Sequence, residues 1–151
     1  MTVIAWDGKY LAADRRANSG ERITSVRKVH KITSVDEVEM LVAYAGDLYV
    51  GAECLEWLRN GARKSDFPEK QKSYDTSVDL VVIFKNIPEF IYTYQTTPFP
   101  IIHEEKYFSE GSGRGCAIAA LYLGESAVAA VEIASVFDSS CGNGVDAVCF
   151  D

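Results

Sequence analysis

Six consecutive residues, Met40-Leu41-Val42-Ala43-Tyr44-Ala45, are apolar almost without interruption. A strand with one wet face alternates apolar and polar side chains. An unbroken run therefore predicts a strand covered on both faces, at the centre of a layered structure. The rest of the chain is organised around that requirement. Thr2 to Trp6 is a β-rich run, Asp7-Gly8 is a hairpin signal, and Lys9 to Ala13 resumes the strand. Runs over Arg22–Ser34 and Glu39–Ala45 follow, joined by the polar turn Ser34-Val35-Asp36-Glu37. Leu48, Ala52, Leu55, Trp57 and Leu58 then recur at helical spacing, and the pattern ends at Asn60-Gly61.

Residues 63–76 are polar, contain Pro68, and read as a loop. Val78–Phe84 and Phe90–Tyr94 form a second hairpin across Asn86-Ile87-Pro88, and Lys106–Ser109 is a short strand. Two small-residue helices, Cys116–Tyr122 and Ser126–Phe137, precede a last strand at Val145–Phe150. Strands, one helix, strands, two helices and a strand fit neither βαβ alternation nor an all-β chain. They predict an antiparallel α+β fold with helices over the sheet faces, in one domain spanning residues 1–151.

Charge excludes some functions. The net charge is −7, and residues 74–151 carry 3 Lys/Arg against 11 Asp/Glu. An acidic surface repels phosphate backbones, so nucleic acid is a poor partner. No apolar run approaches the ~18 residues a membrane span needs, and Asp7 interrupts any signal-peptide pattern. A cytoplasmic location is expected. Cys54, Cys116, Cys141 and Cys149 show no CxxC spacing and are expected to be reduced and mostly buried. With only two histidines, no metal site and no cofactor are expected.

Four local features could carry chemistry. Thr2 is preceded only by a methionine, and a small second residue favours removal of that methionine. A freed N-terminal threonine carries a hydroxyl nucleophile and an amine titrating near ~7.7–8.0 on one residue. Asp14 ends the run Leu11-Ala12-Ala13, and Lys28 follows Val26 on a strand; the bland reading of the pair is a solvated ion pair. Beside a nucleophile, the lysine would lower a neighbouring amine's pKa by like-charge repulsion. Ala45-Gly46 marks a strand-to-helix passage whose N–H could stabilise an oxyanion, or is simply a tight turn. Gly111-Ser112-Gly113-Arg114-Gly115 lacks the Lys-Ser/Thr ending of a phosphate loop, and Ser112 reads as a helix N-cap. Asp138 reads equally as a C-terminal turn residue. Neither His30 nor His103 sits in the setting of a serine or cysteine triad.

As an ordered set, Thr2-Val3-Ile4-Ala5, Leu11 to Ala17, Val26-Arg27-Lys28-Val29, Ala43-Tyr44-Ala45-Gly46, Gly111-Ser112-Gly113 and Asp138-Ser139-Ser140-Cys141-Gly142 resemble the proteasome β-subunit family. The resemblance is strongest to its bacterial HslV-type threonine peptidases. It implies the N-terminal nucleophile hydrolase fold, a four-layer αββα sandwich. It further implies Thr2 as nucleophile once Met1 is removed, with its own amine as general base. Asp14 and Lys28 would tune it, and Gly46 would supply the oxyanion N–H. Ser112, Asp138 and Cys141 would support the amine. Ala17, Val26, His30, Tyr44 and Leu48 would line the pocket for the residue before the scissile bond. The partners implied are further copies of the chain in a homo-oligomeric ring, a peptide or unfolded-protein substrate, and an ATPase unfoldase.

The chain departs from the family's pattern in three places. Cys141 stands where serine is usual, Arg15 replaces a small residue, and only Leu48–Asn60 represents the two long helices that normally follow the glycine. A reduced helical layer is expected. Two other functions suit the same scaffold: an amidase acting on a small amide, and a non-catalytic assembly or binding subunit in which Met1 persists.

Overall fold

The structure, a computed structural model, describes residues 1–151. Strands β1 (Val3–Trp6) and β2 (Leu11–Asp14) form the expected N-terminal hairpin. They are the middle of a four-stranded antiparallel sheet, flanked by β10 (Phe108–Gly111) and β11 (Val145–Val148). A second sheet has five strands in sequence order: β5 (Val29–Thr33), β6 (Glu39–Ala45), β7 (Asp79–Phe84), β8 (Ile91–Tyr94) and β9 (Ile101–His103).

Alternation along these strands builds the layers. Ile4, Trp6, Leu11 and Ala13 of the first sheet meet Val29, Leu41, Ala43, Val81 and Ile83 of the second, forming the dry centre. Val3, Ala5 and Ala12 face the other way, onto helices α2 (Arg114–Tyr122) and α3 (Ala127–Phe137). On the far side, Met40, Val42, Tyr44, Leu80 and Val82 pack against Val50, Cys54, Leu55, Trp57 and Leu58 of α1 (Leu48–Arg59). The four layers are thus α2/α3, sheet, sheet, α1. The apolar run at 40–45 is continuous because its alternate residues serve two different cores. Each fully buried Leu or Ile there contributes about 1.5–3 kcal/mol.

The structure revises several expected elements. Arg22–Ser34 is not one strand. Its first part, β4 (Arg22–Ser25), pairs with β3 (Arg16–Ser19) in a separate, largely exposed ribbon turning at Gly20. The Val26 N–H donates to Arg15 O at 2.8 Å, and the chain then turns inward at Lys28, just before β5. His103 lies in edge strand β9, its Nε2 2.9 Å from Thr93 Oγ1. The loop at 63–76 contains two short 3-10 turns, Lys64–Asp66 and Glu69–Lys72. They occupy the helical layer beside α1, where Phe67 packs edge-on against Trp57 at 5.0 Å. All four cysteines are free, but only Cys54 and Cys141 are buried, and Cys116 is exposed. No helix is long and apolar enough to cross a membrane.

Candidate active site

Thr2 sits immediately before β1, at the mouth between the two sheets, and is 4 % exposed. Its neighbour in space is Lys28, which the chain's turn before β5 points into the interior. Lys28 Nζ donates to Thr2 Oγ1 at 3.1 Å, to Asp14 Oδ1 at 3.0 Å and to Met1 O at 3.2 Å. All three ammonium hydrogens are therefore engaged. Lysine is almost never fully buried unless it is paired. Here both Lys28 and Asp14 are fully buried, so the solvated ion pair of the bland reading is not what forms.

Asp14 is held by more than the lysine. Its Oδ1 also accepts from Val3 N at 3.1 Å, and its Oδ2 accepts from Arg16 N at 3.2 Å and Gly142 N at 3.1 Å. Three backbone N–H groups from three segments meet one carboxylate. This is the satisfaction a buried charge requires. The Gly142 contact ties the segment after α3 to the N-terminal hairpin.

Arg16, which sequence reasoning passed over, completes that tie. Its Nη1 donates to Ser139 O at 2.6 Å and its Nε to Asn143 Oδ1 at 3.1 Å. The guanidinium lies over Gly142, where any Cβ would come within 3.0 Å of Nη2. The only signal in the sequence was its place two residues after Asp14. Arg15, the departure from the family pattern, points elsewhere and forms an ion pair with Asp146 of the adjacent strand at 3.1 Å.

On the other side of Thr2, Ser112 does not cap a helix. The N-cap of α2 is Gly113, without a side-chain bond, and the Ser112 hydroxyl instead donates to Thr2 O at 3.3 Å. Ser112 Oγ also lies 3.7 Å from Cys141 Sγ, which donates to Asp138 Oδ2 at 3.4 Å. The hydroxyls of Ser112 and Ser140, with the Ser140 N–H, hold the Asp138 carboxyl well below the usual carboxylate range. The Ser140 contacts are the direct ones, at 2.5 and 2.9 Å. Burial pushes the Cys141 thiol up to about 11, so it is a neutral donor rather than a thiolate.

Gly46 closes the site. It follows β6 with φ +131°, a conformation that favours glycine, and its Cα face abuts Val78. Asp47 then starts α1, its Oδ1 accepting from Tyr49 N at 2.8 Å and Val50 N at 3.2 Å. Thr2, Lys28, Gly46, Arg16, Ala17 and Leu48 line one hollow of about 250 Å³.

Of the residues expected to line a substrate pocket, Ala17 and Leu48 lie on this hollow, whereas Val26, His30 and Tyr44 do not. Tyr44 is buried under α1 against Gly51, and His30 stacks on it at 5.8 Å. A larger hollow, about 600 Å³, opens at the opposite end among Trp6, Phe90, Glu104 and Lys106, with no hydroxyl or thiol nucleophile.

The fold has known counterparts in three dimensions. HslV from Trypanosoma brucei superposes with a TM-score of 0.69 and 20 % identity, covering 98 % of both chains. Thiobacillus denitrificans BPH, solved in complex with epoxomicin, gives a TM-score of 0.67 and 17 % identity over 99 % of this chain and 97 % of that one. Anbu from Pseudomonas aeruginosa, solved as a helical assembly, gives 0.71 and 14 % over 99 % and 81 %. The fold is thus that of the N-terminal nucleophile hydrolases. It is the proteasome-type, HslV-like form of that fold. No protein-family model and no curated protein matches the sequence.

Proposed function

We propose that the protein is a threonine peptidase that hydrolyses peptide bonds through Thr2 after removal of Met1. The observation that carries this reading is one buried ammonium, Lys28 Nζ, in contact with both Thr2 Oγ1 and Asp14 Oδ1. A hydroxyl beside a fixed positive charge in a dry site is stabilised as an alkoxide, whose charge water would otherwise have to solvate. Removal of Met1 withdraws one of the three lysine acceptors and creates an α-amine on Thr2 itself.

On this reading the reaction runs in two stages. The Thr2 amine accepts the Oγ1 proton as Oγ1 bonds to the scissile carbonyl carbon. The carbonyl oxygen becomes an oxyanion, which the exposed Gly46 N–H receives. The C–N bond breaks, the leaving amine takes the proton from the Thr2 amine, and an ester remains on Oγ1. Water, deprotonated by the same amine, attacks the ester carbonyl, and Oγ1 leaves and regains its proton. Ser112, Asp138 and Cys141 act through the Thr2 backbone and the position of its amine. Ala17 and Leu48 meet the residue before the scissile bond.

The protein works, on this reading, as a homo-oligomer whose enclosure restricts access to peptides and unfolded chains. Anbu's helical assembly supports self-association in this fold. Exposed apolar side chains that association would cover are Tyr122 and Leu123 at the α2–α3 turn, and Val136 and Phe137 at the far end of α3. An ATPase unfoldase is the partner that such an enclosure would take.

The test is hydrolysis of a set of fluorogenic peptides by wild type and Thr2→Ala, with native mass measured alongside. Activity that disappears in Thr2→Ala supports the reading. Full activity in Thr2→Ala would sink it.

A further inference from the structure

The family resemblance leaves residues 63–76 without a role, yet that segment sends one polar side chain into the core beside the site. Gln71, on the second 3-10 turn, is fully buried. Its Oε1 accepts from Val78 N at 2.8 Å, and its Nε2 donates to Val78 O at 2.8 Å and to Gln95 O at 2.7 Å. The amide thus grips both backbone groups of Val78, as a neighbouring strand would, and has neither donor to spare. Val78 is the residue against which Gly46 rests. A Cβ on Gly46 would lie 3.1 Å from Val78 Cγ1 and 3.3 Å from its Cα.

The segment is itself anchored. Trp57 Nε1 of α1 donates to Arg63 O at 2.8 Å, Phe67 is buried against Trp57, and Gln71 N donates to Pro68 O at 3.1 Å. From α1 to Gly46 there is therefore a continuous chain of contacts: Trp57, the 63–72 segment, Gln71, Val78, Gly46. Gly46 itself is exposed at the hollow containing Thr2.

We infer that Gln71 is a positioning residue that sets the direction of the Gly46 N–H by clamping Val78. The inference rests on the proposed reaction for its catalytic consequence, because only there does Gly46 meet an oxyanion. A donor displaced by a fraction of an ångström is a weaker oxyanion partner, while the amine, Oγ1 and Lys28 remain where they were.

Gln71→Met keeps the length and apolar stem and removes the clamp. It is expected to lower kcat on the order of 10- to 100-fold, leaving KM within about twofold. The pH midpoint of kcat/KM, which belongs to the Thr2 side, should not move. In Gln71→Glu the carboxyl regains one donor when protonated, so its kcat relative to wild type should rise as pH is lowered. This second variant answers the question if Gln71→Met does not fold.

The Gly46 and Val78 amide resonances are followed in the same samples. Displacement of both in Gln71→Met is expected. An unmoved Gly46 resonance, an unchanged kcat, or a loss accompanied by a shifted pH midpoint would each overturn the inference. If wild type neither hydrolyses peptides nor acylates Thr2, the proposed reaction fails. The Gly46 resonance still decides the positioning claim.

Discussion

The two sides of Thr2 are built on different principles. Toward the second sheet lies a fully buried ion pair, in which Lys28 reaches the Thr2 hydroxyl oxygen and Asp14 collects three backbone N–H groups around the lysine. Toward α2 and α3 lies a looser set of hydroxyl, thiol and carboxylate groups that touches only the Thr2 carbonyl. One side holds charge in a dry place, where removing a member leaves its partner exposed to a large desolvation cost. The other holds neutral donors at longer distances, where a lost bond is worth about 1 kcal/mol.

This contrast orders the mutations. Thr2→Ala is expected to reduce peptide hydrolysis on the order of 10^4-fold or more, with the fold intact by circular dichroism. Lys28→Met should cost about a thousandfold in kcat. It should still fold, because Asp14 keeps its three N–H partners. Asp14→Ala differs in kind: it leaves Lys28 buried and unpaired, so stability should fall by about 3–5 kcal/mol in urea titrations. A stable Asp14→Ala protein would break the comparison, since the ion pair would then not be essential to the side it defines.

Smaller effects sharpen it. Gly46→Ala brings a Cβ against Val78 at a positive φ, and kcat should drop on the order of 10- to 100-fold with little change in KM. Cys141→Ser, on the looser side, should leave kcat within about fivefold of wild type.

His30 supplies a pH effect on stability alone. Burial, together with Arg59 and Arg27, lowers its pKa in the folded protein below that of the unfolded chain. The unfolded state therefore binds more protons in that window. Stability is full above pH ~6.5 and falls as pH drops toward the lowered folded value. His30→Gln should flatten the urea midpoint between pH 6.5 and 5.

The sequence made the layered architecture legible where side-chain pattern reflects burial directly. The run at 40–45 is one example, because its alternate residues serve two cores and leave no polar gap; the small residues of α2 and α3, packed over the first sheet, are another. It failed where pairing is not encoded locally. The ribbon of Arg16–Ser19 with Arg22–Ser25 carries no apolar pattern because neither strand is buried. The break at Lys28 is set by a distant carboxylate, and Gln71 looks like one more polar residue in a polar loop. The expected roles of Val26, His30 and Tyr44 came from the resemblance, whose short motifs carry nothing of the α1 packing around Tyr44. Arg16 and Gln71 act through backbone atoms of residues far along the chain, which spacing alone does not mark.

The central claim is that Thr2 carries both the nucleophile and its base. Intact mass before and after treatment with a peptide epoxyketone tests it directly, since that reagent closes a ring with the hydroxyl and the free amine of an N-terminal threonine. The expected result is a mass lacking Met1 that gains one adduct, absent from Thr2→Ala. A protein that retains Met1 and takes no adduct, or an adduct that survives in Thr2→Ala, would contradict it.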